Sequence, residues 1–139
     1  MAETIYYFIP AHEAEVLEDC LQAAMNPSRR IVYVAHPLAG DVLGNMREVI
    51  QICRDISRLY TGTVPVTPLL AFSFLREPDE RELALEYCLT LLERCDELWL
   101  TGDWRNSEGC RMELERAREL GMPVVEWVRG KAVPIGHGT

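Results

Sequence analysis

Apolar residues recur along the chain with two different periods, and the alternation between them lays out the elements. Thr4 to Ile9 is β-branched and aromatic until Pro10 stops it. From His12 to Met25, Val16, Leu17, Cys20, Leu21 and Ala24 fall at helical spacing. Ile31 to Ala35 is a continuous apolar run without polar alternation, the pattern of a central parallel strand covered on both faces. After a loop over 36–41, Val42, Met46, Val49, Ile50, Cys53, Ile56 and Tyr60 keep a 3.6-residue period. Thr63 to Thr67 reads as a short strand near an edge, because Pro65 removes a ladder donor. Residues 68–78 form the longest irregular stretch, with Phe72, Phe74 and Leu75 in it. A helix over 80–95, a strand over 96–100, a helix over 107–120 and a strand over 124–128 follow. Gly121 and Pro123 stop the last helix, and the tail from Gly130 to Thr139 reads as frayed.

Strands alternating with helices predict an α/β fold. The expectation is a three-layer, open, mostly parallel sheet of about five strands, flavodoxin- or Rossmann-like, with helices on both faces. A single domain is expected over 1–139, with 1–30 as an N-terminal strand and helix. In such sheets ligands bind outside the carboxyl ends of the strands, where the strand order reverses. The loops 36–41, 67–79 and 101–109 are therefore the candidate rim.

Composition narrows the function classes. With 139 residues, 48% hydrophobic and 26% charged, the chain can bury one core without a disulfide or metal staple. Fourteen basic against twenty-two acidic side chains leave a net charge of −8, which opposes attraction to a nucleic-acid polymer or an anionic membrane surface. The five cysteines form no C-x-x-C pair, and four fall in helical apolar patterns, so they read as small core residues in a reducing, cytoplasmic setting. No cofactor and no metal site is expected; His12 and His137 show no metal-ligand spacing with any cysteine.

The candidate chemistry begins on the helix after Trp99. Stepping about 100° per residue puts Cys110, Glu113, Leu114, Ala117 and Leu120 on one arc. Glu113 is the only carboxylate there, and a carboxylate on a core-facing stripe is costly unless it is paired, hydrogen-bonded or facing a cleft. Two readings stay open: an ion pair with Arg116 three residues on, or a nucleophile or general base in a partly desolvated cleft. Ser107 is a good N-cap, and with the N–H groups at Glu108 and Gly109 it offers an anion- or hydroxyl-binding corner at the positive end of that helix.

Ser107-x-Gly109-x-x-x-Glu113, following Cys95-Asp96-Glu97-Leu98-Trp99 and preceding Ala117 and Gly121-Met122-Pro123-Val124, resembles the nucleoside 2-deoxyribosyltransferase superfamily, which includes the 2′-deoxynucleoside 5′-monophosphate N-glycosidases. The run from Val32 to Asp41, with Asn45 after it, is similar to the first strand and sugar-binding loop of an uncharacterised bacterial and phage branch. The resemblance covers about residues 31 to 128. It implies a double displacement at an anomeric carbon with Glu113 as nucleophile. It also implies Ser107 and Gly109 at the 5′ end of a nucleoside or nucleoside 5′-monophosphate, and a homo-oligomer. Ser rather than Asp at 107 suits a phosphate, which a carboxylate would repel.

The departures from that pattern are specific. Pro37 and Ala39 stand where monophosphate hydrolases carry a Ser and an Arg. Counting back eight residues from Asp96, where the family has its second carboxylate, lands on Cys88, leaving Asp79 or Glu86 as relocated acids. Losing a general acid forfeits about 10² to 10⁴ in rate. His36, Gly40 and Asp41 are candidate ribose or phosphate contacts, with a satisfied loop histidine and a helix-capping aspartate as the structural alternatives. Trp104 is a candidate base-stacking residue or a subunit contact. The alternative to an N-glycosidase or deoxyribosyltransferase is a catalytically degenerate nucleotide-binding module; a third reading is an assembly protein built on Trp104, Phe72 and Phe74.

Overall fold

A computed structural model describes residues 13–136. The strand expected over Thr4 to Ile9 lies outside them. The elements are α1 (Ala14–Ala24), β1 (Arg30–Ala35), α2 (Val42–Leu59), β2 (Thr63–Val66), α3 (Pro68–Ala71), α4 (Arg81–Glu93), β3 (Glu97–Leu100), α5 (Glu108–Glu119), β4 (Val124–Val128) and β5 (Lys131–Ile135). The sheet order is β2-β1-β3-β4-β5, with the first four strands parallel and β5 antiparallel. This is the expected α/β architecture, with the Pro65-bearing β2 at the edge and β1 interior but next to it, so that β3 is the middle strand instead of β1.

The alternation of β1 divides the core in two. Val32 and Val34 pack with Val49, Ile52 and Ile56 of α2 and with Trp99. Tyr33 and Ala35 face the other way, onto Leu92 of α4 and Cys110, Leu114 and Ala117 of α5. From Val32 to Ala35 both faces of the strand are fully buried, which is why that stretch carries no polar alternation, whereas Arg30 and Ile31 at its start are exposed. Strand order reverses between β1 and β3, so the crevice of this sheet opens where Ala35 and Leu100 end and the loops from His36 and Thr101 begin.

Three expectations are corrected. The tail after Gly130 is not frayed through its described part. Arg129 and Gly130 both have positive φ (51° and 75°), a two-residue turn that folds β5 back onto β4 from Lys131 to Ile135. Pro134 is tolerated because β5 is an edge strand. Helix α1 forms, but none of its residues is buried, so Cys20 is exposed rather than a core residue. The stretch 68–78 also contains the one-turn helix α3, started by Pro68 at its first position. Among the described residues no helix is long and apolar enough to cross a membrane.

Leu98 is fully buried among β1, α4 and α5 side chains. Leu98→Ala should therefore cost about 2–5 kcal/mol in urea unfolding, against less than about 1 kcal/mol for Val133→Ala on the half-exposed edge strand.

Candidate active site between β1, α4 and α5

Ser107 leaves the preceding turn in an extended conformation, and its hydroxyl accepts the Cys110 N–H at 3.2 Å, fixing where α5 starts. That start sets the helical phase, which turns Cys110, Glu113, Leu114 and Ala117 inward. Glu113 is 7% exposed. The Arg116 guanidinium instead engages Glu93 and Glu119, so the i, i+3 ion pair does not form. The Glu113 Oε2 accepts a hydrogen bond from the Tyr33 hydroxyl. A phenol inside a strand covered on both faces needs a partner, and Glu113 supplies it.

The groups around this carboxylate are all weak acids. The Cys88 thiol on α4 interacts with both Tyr33 and Glu113, and Cys110 adjoins Glu113 from within α5. Among the described residues no cation acts on Glu113. Burial pushes its carboxyl up to about 7, opposed by the Tyr33 hydrogen bond. Burial, then the Glu113 charge, holds the Tyr33 phenol well above its ordinary value, so it remains a neutral donor. The same two causes raise Cys88 to about 11, and burial first, then Glu113, raises Cys110 to about 12, so both stay thiols at neutral pH. The site thus holds one group that changes charge near neutrality, in front of three that keep their protons.

The remaining sequence candidates divide by position. Ser107 and Gly109 stand together at the N-terminus of α5, where a Cβ at Gly109 would meet nothing nearer than the Ser107 hydroxyl at 4.0 Å. His36 is buried. Its Nδ1 lies 2.7 Å from the Pro37 carbonyl oxygen and its Nε2 lies 2.7 Å from Glu48 Oε2. Gly102 packs directly on that ring, since a Cβ there would come within 2.7 Å of Nε2. The imidazole thus ties the loops after β1 and β3 together at the switch point and has no ring nitrogen left for a ligand. Asp41 caps α2, its Oδ1 accepting the Gly44 N–H at 3.0 Å, and Gly40 is exposed in the turn before it.

Trp104 is not available as a stacking platform. It is buried, its indole N–H donates to Glu126 Oε2 at 3.0 Å, and the Arg105 guanidinium lies 4.5 Å from its ring centroid. A cleft of about 620 Å³ beside it, also lined by Arg105, Arg111 and Arg118, runs along the flank of α5 away from Glu113. Asp79 is exposed in the turn before α4, and Glu86 is exposed about 200° around α4 from Cys88; the fold brings neither to Glu113. Sequence reasoning missed Tyr33, Glu48 and Gly102 as parts of the rim. It also missed Thr67, whose hydroxyl at the carboxyl end of β2 is buried without a hydrogen-bond partner among the described residues. A phenol in an otherwise aliphatic strand was the one available signal.

No curated protein sequence matches the chain. Among solved structures, a 2-deoxyribosyltransferase from the psychrotolerant bacterium Bacillus psychrosaccharolyticus, characterised as a biocatalyst for synthesis of antiviral and antitumoral nucleosides, is similar at a TM-score of 0.51. Sequence identity is 22%, over 69% of this chain and 70% of that one. That likeness is one of fold: a parallel sheet flanked by helices. Residues 30–127, from the first residue of β1 to the penultimate residue of β4, match the family model described as Domain of unknown function (DUF7768), and the chain belongs to that family.

Proposed function

We propose that the chain acts on the N-glycosidic bond of a nucleoside or nucleoside 5′-monophosphate, as a hydrolase or deoxyribosyltransferase with Glu113 as nucleophile. One observation carries this reading: a carboxylate is kept inside the protein, against strand β1, with a phenol as its hydrogen-bond partner and no cation beside it among the described residues. Such a group costs stability when ionised, and its retention is explained by a use for the charge. The deoxyribosyltransferase fold of the solved neighbour and the Ser107-x-Gly109-x-x-x-Glu113 segment support the same assignment.

In the first step a Glu113 oxygen attacks C1′ and the C1′–N bond breaks. The base leaves with the electron pair and takes its proton from solvent. In the second step water, or the nitrogen of another base, attacks C1′ and gives up its proton to solvent, and the carboxylate leaves with its bonding pair. Tyr33 orients Glu113 and, as a neutral donor, stabilises the charge that returns to it. Ser107 and the adjoining amides receive the 5′-phosphate. Cys88, a thiol far from its titration range, replaces the carboxylic acid that the resemblance implies at that position. This favours slow turnover of substrates whose base is a good leaving group. The same observation supports a second reading, a nucleotide-binding module without turnover.

Incubation with a panel of deoxynucleosides and their 5′-monophosphates separates the two, because release of free base supports the enzyme and saturable binding without release supports the module. For the enzyme, Glu113→Gln should reduce base release by at least about 10³-fold. The wild-type rate should rise with pH through about 7, since only the ionised carboxyl attacks.

Stability should respond in the opposite sense. A carboxyl raised to about 7 when folded stabilises the protein most at acid pH and loses that contribution as pH rises through 7. Glu113→Gln removes the ionisation cost and should be more stable than the wild type at pH 8 in urea unfolding, by on the order of 3 kcal/mol or less. Ser107→Asp keeps the helix cap and places a charge beside the phosphate position. It should raise KM for a 5′-monophosphate at least about tenfold while leaving the nucleoside little affected.

A further inference from the structure

The cleft on the far flank of α5 takes no part in the reaction proposed above and is built of different chemistry. Its volume of about 620 Å³ lies in the ordinary range for a small-molecule site. Around the helix, Arg111 and Arg118 stand about 140–160° from Glu113, on the opposite side of α5. They are two turns and about 10 Å apart along the axis, close to one line. Leu114 and Trp104, both buried, supply an apolar floor, and Arg105 stands beside them.

The three guanidiniums are held unequally. Arg105 lies 4.5 Å from the Trp104 ring centroid, and its Nη1 donates to Glu126 Oε2 at 2.7 Å. Arg111 donates from its Nη1 to the Arg105 carbonyl oxygen at 2.8 Å. Each is thus fixed on the cleft wall through one nitrogen with its other donors uncommitted among the described residues, so little ordering entropy is lost when an anion binds. Arg118 makes no hydrogen bond or ion pair among the described residues. Of the two carboxylates that line the cleft, Glu119 accepts from Arg116 at 3.2 Å, which leaves Glu115 without a cationic partner among the described residues. Guanidinium charge is therefore in excess within a concave surface of a chain whose net charge is −8, the arrangement that draws an anion to one place.

We propose that this cleft binds a nucleoside polyphosphate, with the phosphates across Arg111 and Arg118 and the aromatic ring on the open face of the Arg105 guanidinium. A guanidinium fork takes phosphate oxygens two at a time, and two forks set two turns apart suit a chain of phosphates better than a single one. The Arg105 side chain is 66% exposed; already stacked on an indole, it presents its second face to a further ring. A protein partner would need a far larger surface, about 800 Å² on this side, than two turns of one helix and a short turn provide. The inference goes beyond the reaction at Glu113 and does not rest on it, since the two places lie on opposite sides of α5.

Isothermal titration calorimetry of the full chain at low salt, without divalent cations, tests this with adenosine triphosphate and inorganic tripolyphosphate as probes. The nucleotide should bind saturably, one per chain, and more tightly than tripolyphosphate; it carries no more charge, so the difference measures the ring. Arg111→Ala with Arg118→Ala should raise its Kd at least about tenfold. Arg118→Glu alone, at a side chain that holds nothing else in place among the described residues, should do the same. Arg54→Ala with Arg58→Ala removes the same charge from exposed positions of α2 and should leave the Kd within about twofold, as should Glu113→Gln across the helix. Absence of saturable binding, a nucleotide no tighter than tripolyphosphate, or equal losses in the two arginine pairs overturns the proposal. So does a Kd indifferent to Arg118→Glu, or one that Glu113→Gln raises as much as the paired arginine variant does.

Discussion

Placing the Glu113 carboxyl away from water, with the Tyr33 hydroxyl as its hydrogen-bond donor, constrains more of this structure than any other contact. The two residues are eighty positions apart, one on the first described strand and one on the last helix, so the bond exists only once β1 and α5 are in register. Ser107 sets the phase of α5, and Leu114 and Ala117 hold it against the sheet. With α4 closing the third side through Cys88, the carboxyl has neither solvent nor a cation to neutralise it. Its titration is carried into the neutral range by burial alone.

The crevice at the strand-order reversal is built by different means. There His36 and Gly102 hold the loops after β1 and β3 in contact, and the ring is closed on its far side by Glu48 from α2. This corner is internally satisfied, whereas the start of α5 is where the proposed reading places the anionic end of the ligand. The proposed reading therefore divides labour between two ends of one helix segment: the first turn binds the polar end of the ligand, and the inward carboxyl a turn further on reaches its anomeric carbon.

Much of the architecture was legible because it is local. The unbroken apolar run of β1, the proline-weakened edge strand and the 3.6-residue arc of α5 are each written in neighbouring residues, and the structure realises each of them. What was not legible depends on partners distant in sequence. Trp104 looked like a loop residue free to stack, but Glu126 on β4 takes its indole N–H. Nothing in the spacing reveals that Tyr33 and Glu113 meet. Strand β5 was hidden by Pro134 and by a turn whose Arg129 adopts a conformation unusual for its residue type. Helix α1 shows the converse: its pattern was read correctly, yet a pattern specifies an apolar face without saying which molecule covers it.

The state of Glu113 itself can be followed directly by the ¹³C shift of its side-chain carboxyl carbon against pH, assigned by the loss of that signal in Glu113→Gln. An inflection near pH 7 is expected for a buried carboxyl partnered only by a phenol. An inflection near 4.5, the ordinary value for glutamate, would mean that water or a cation reaches the group, and would contradict the site from which the proposed chemistry starts.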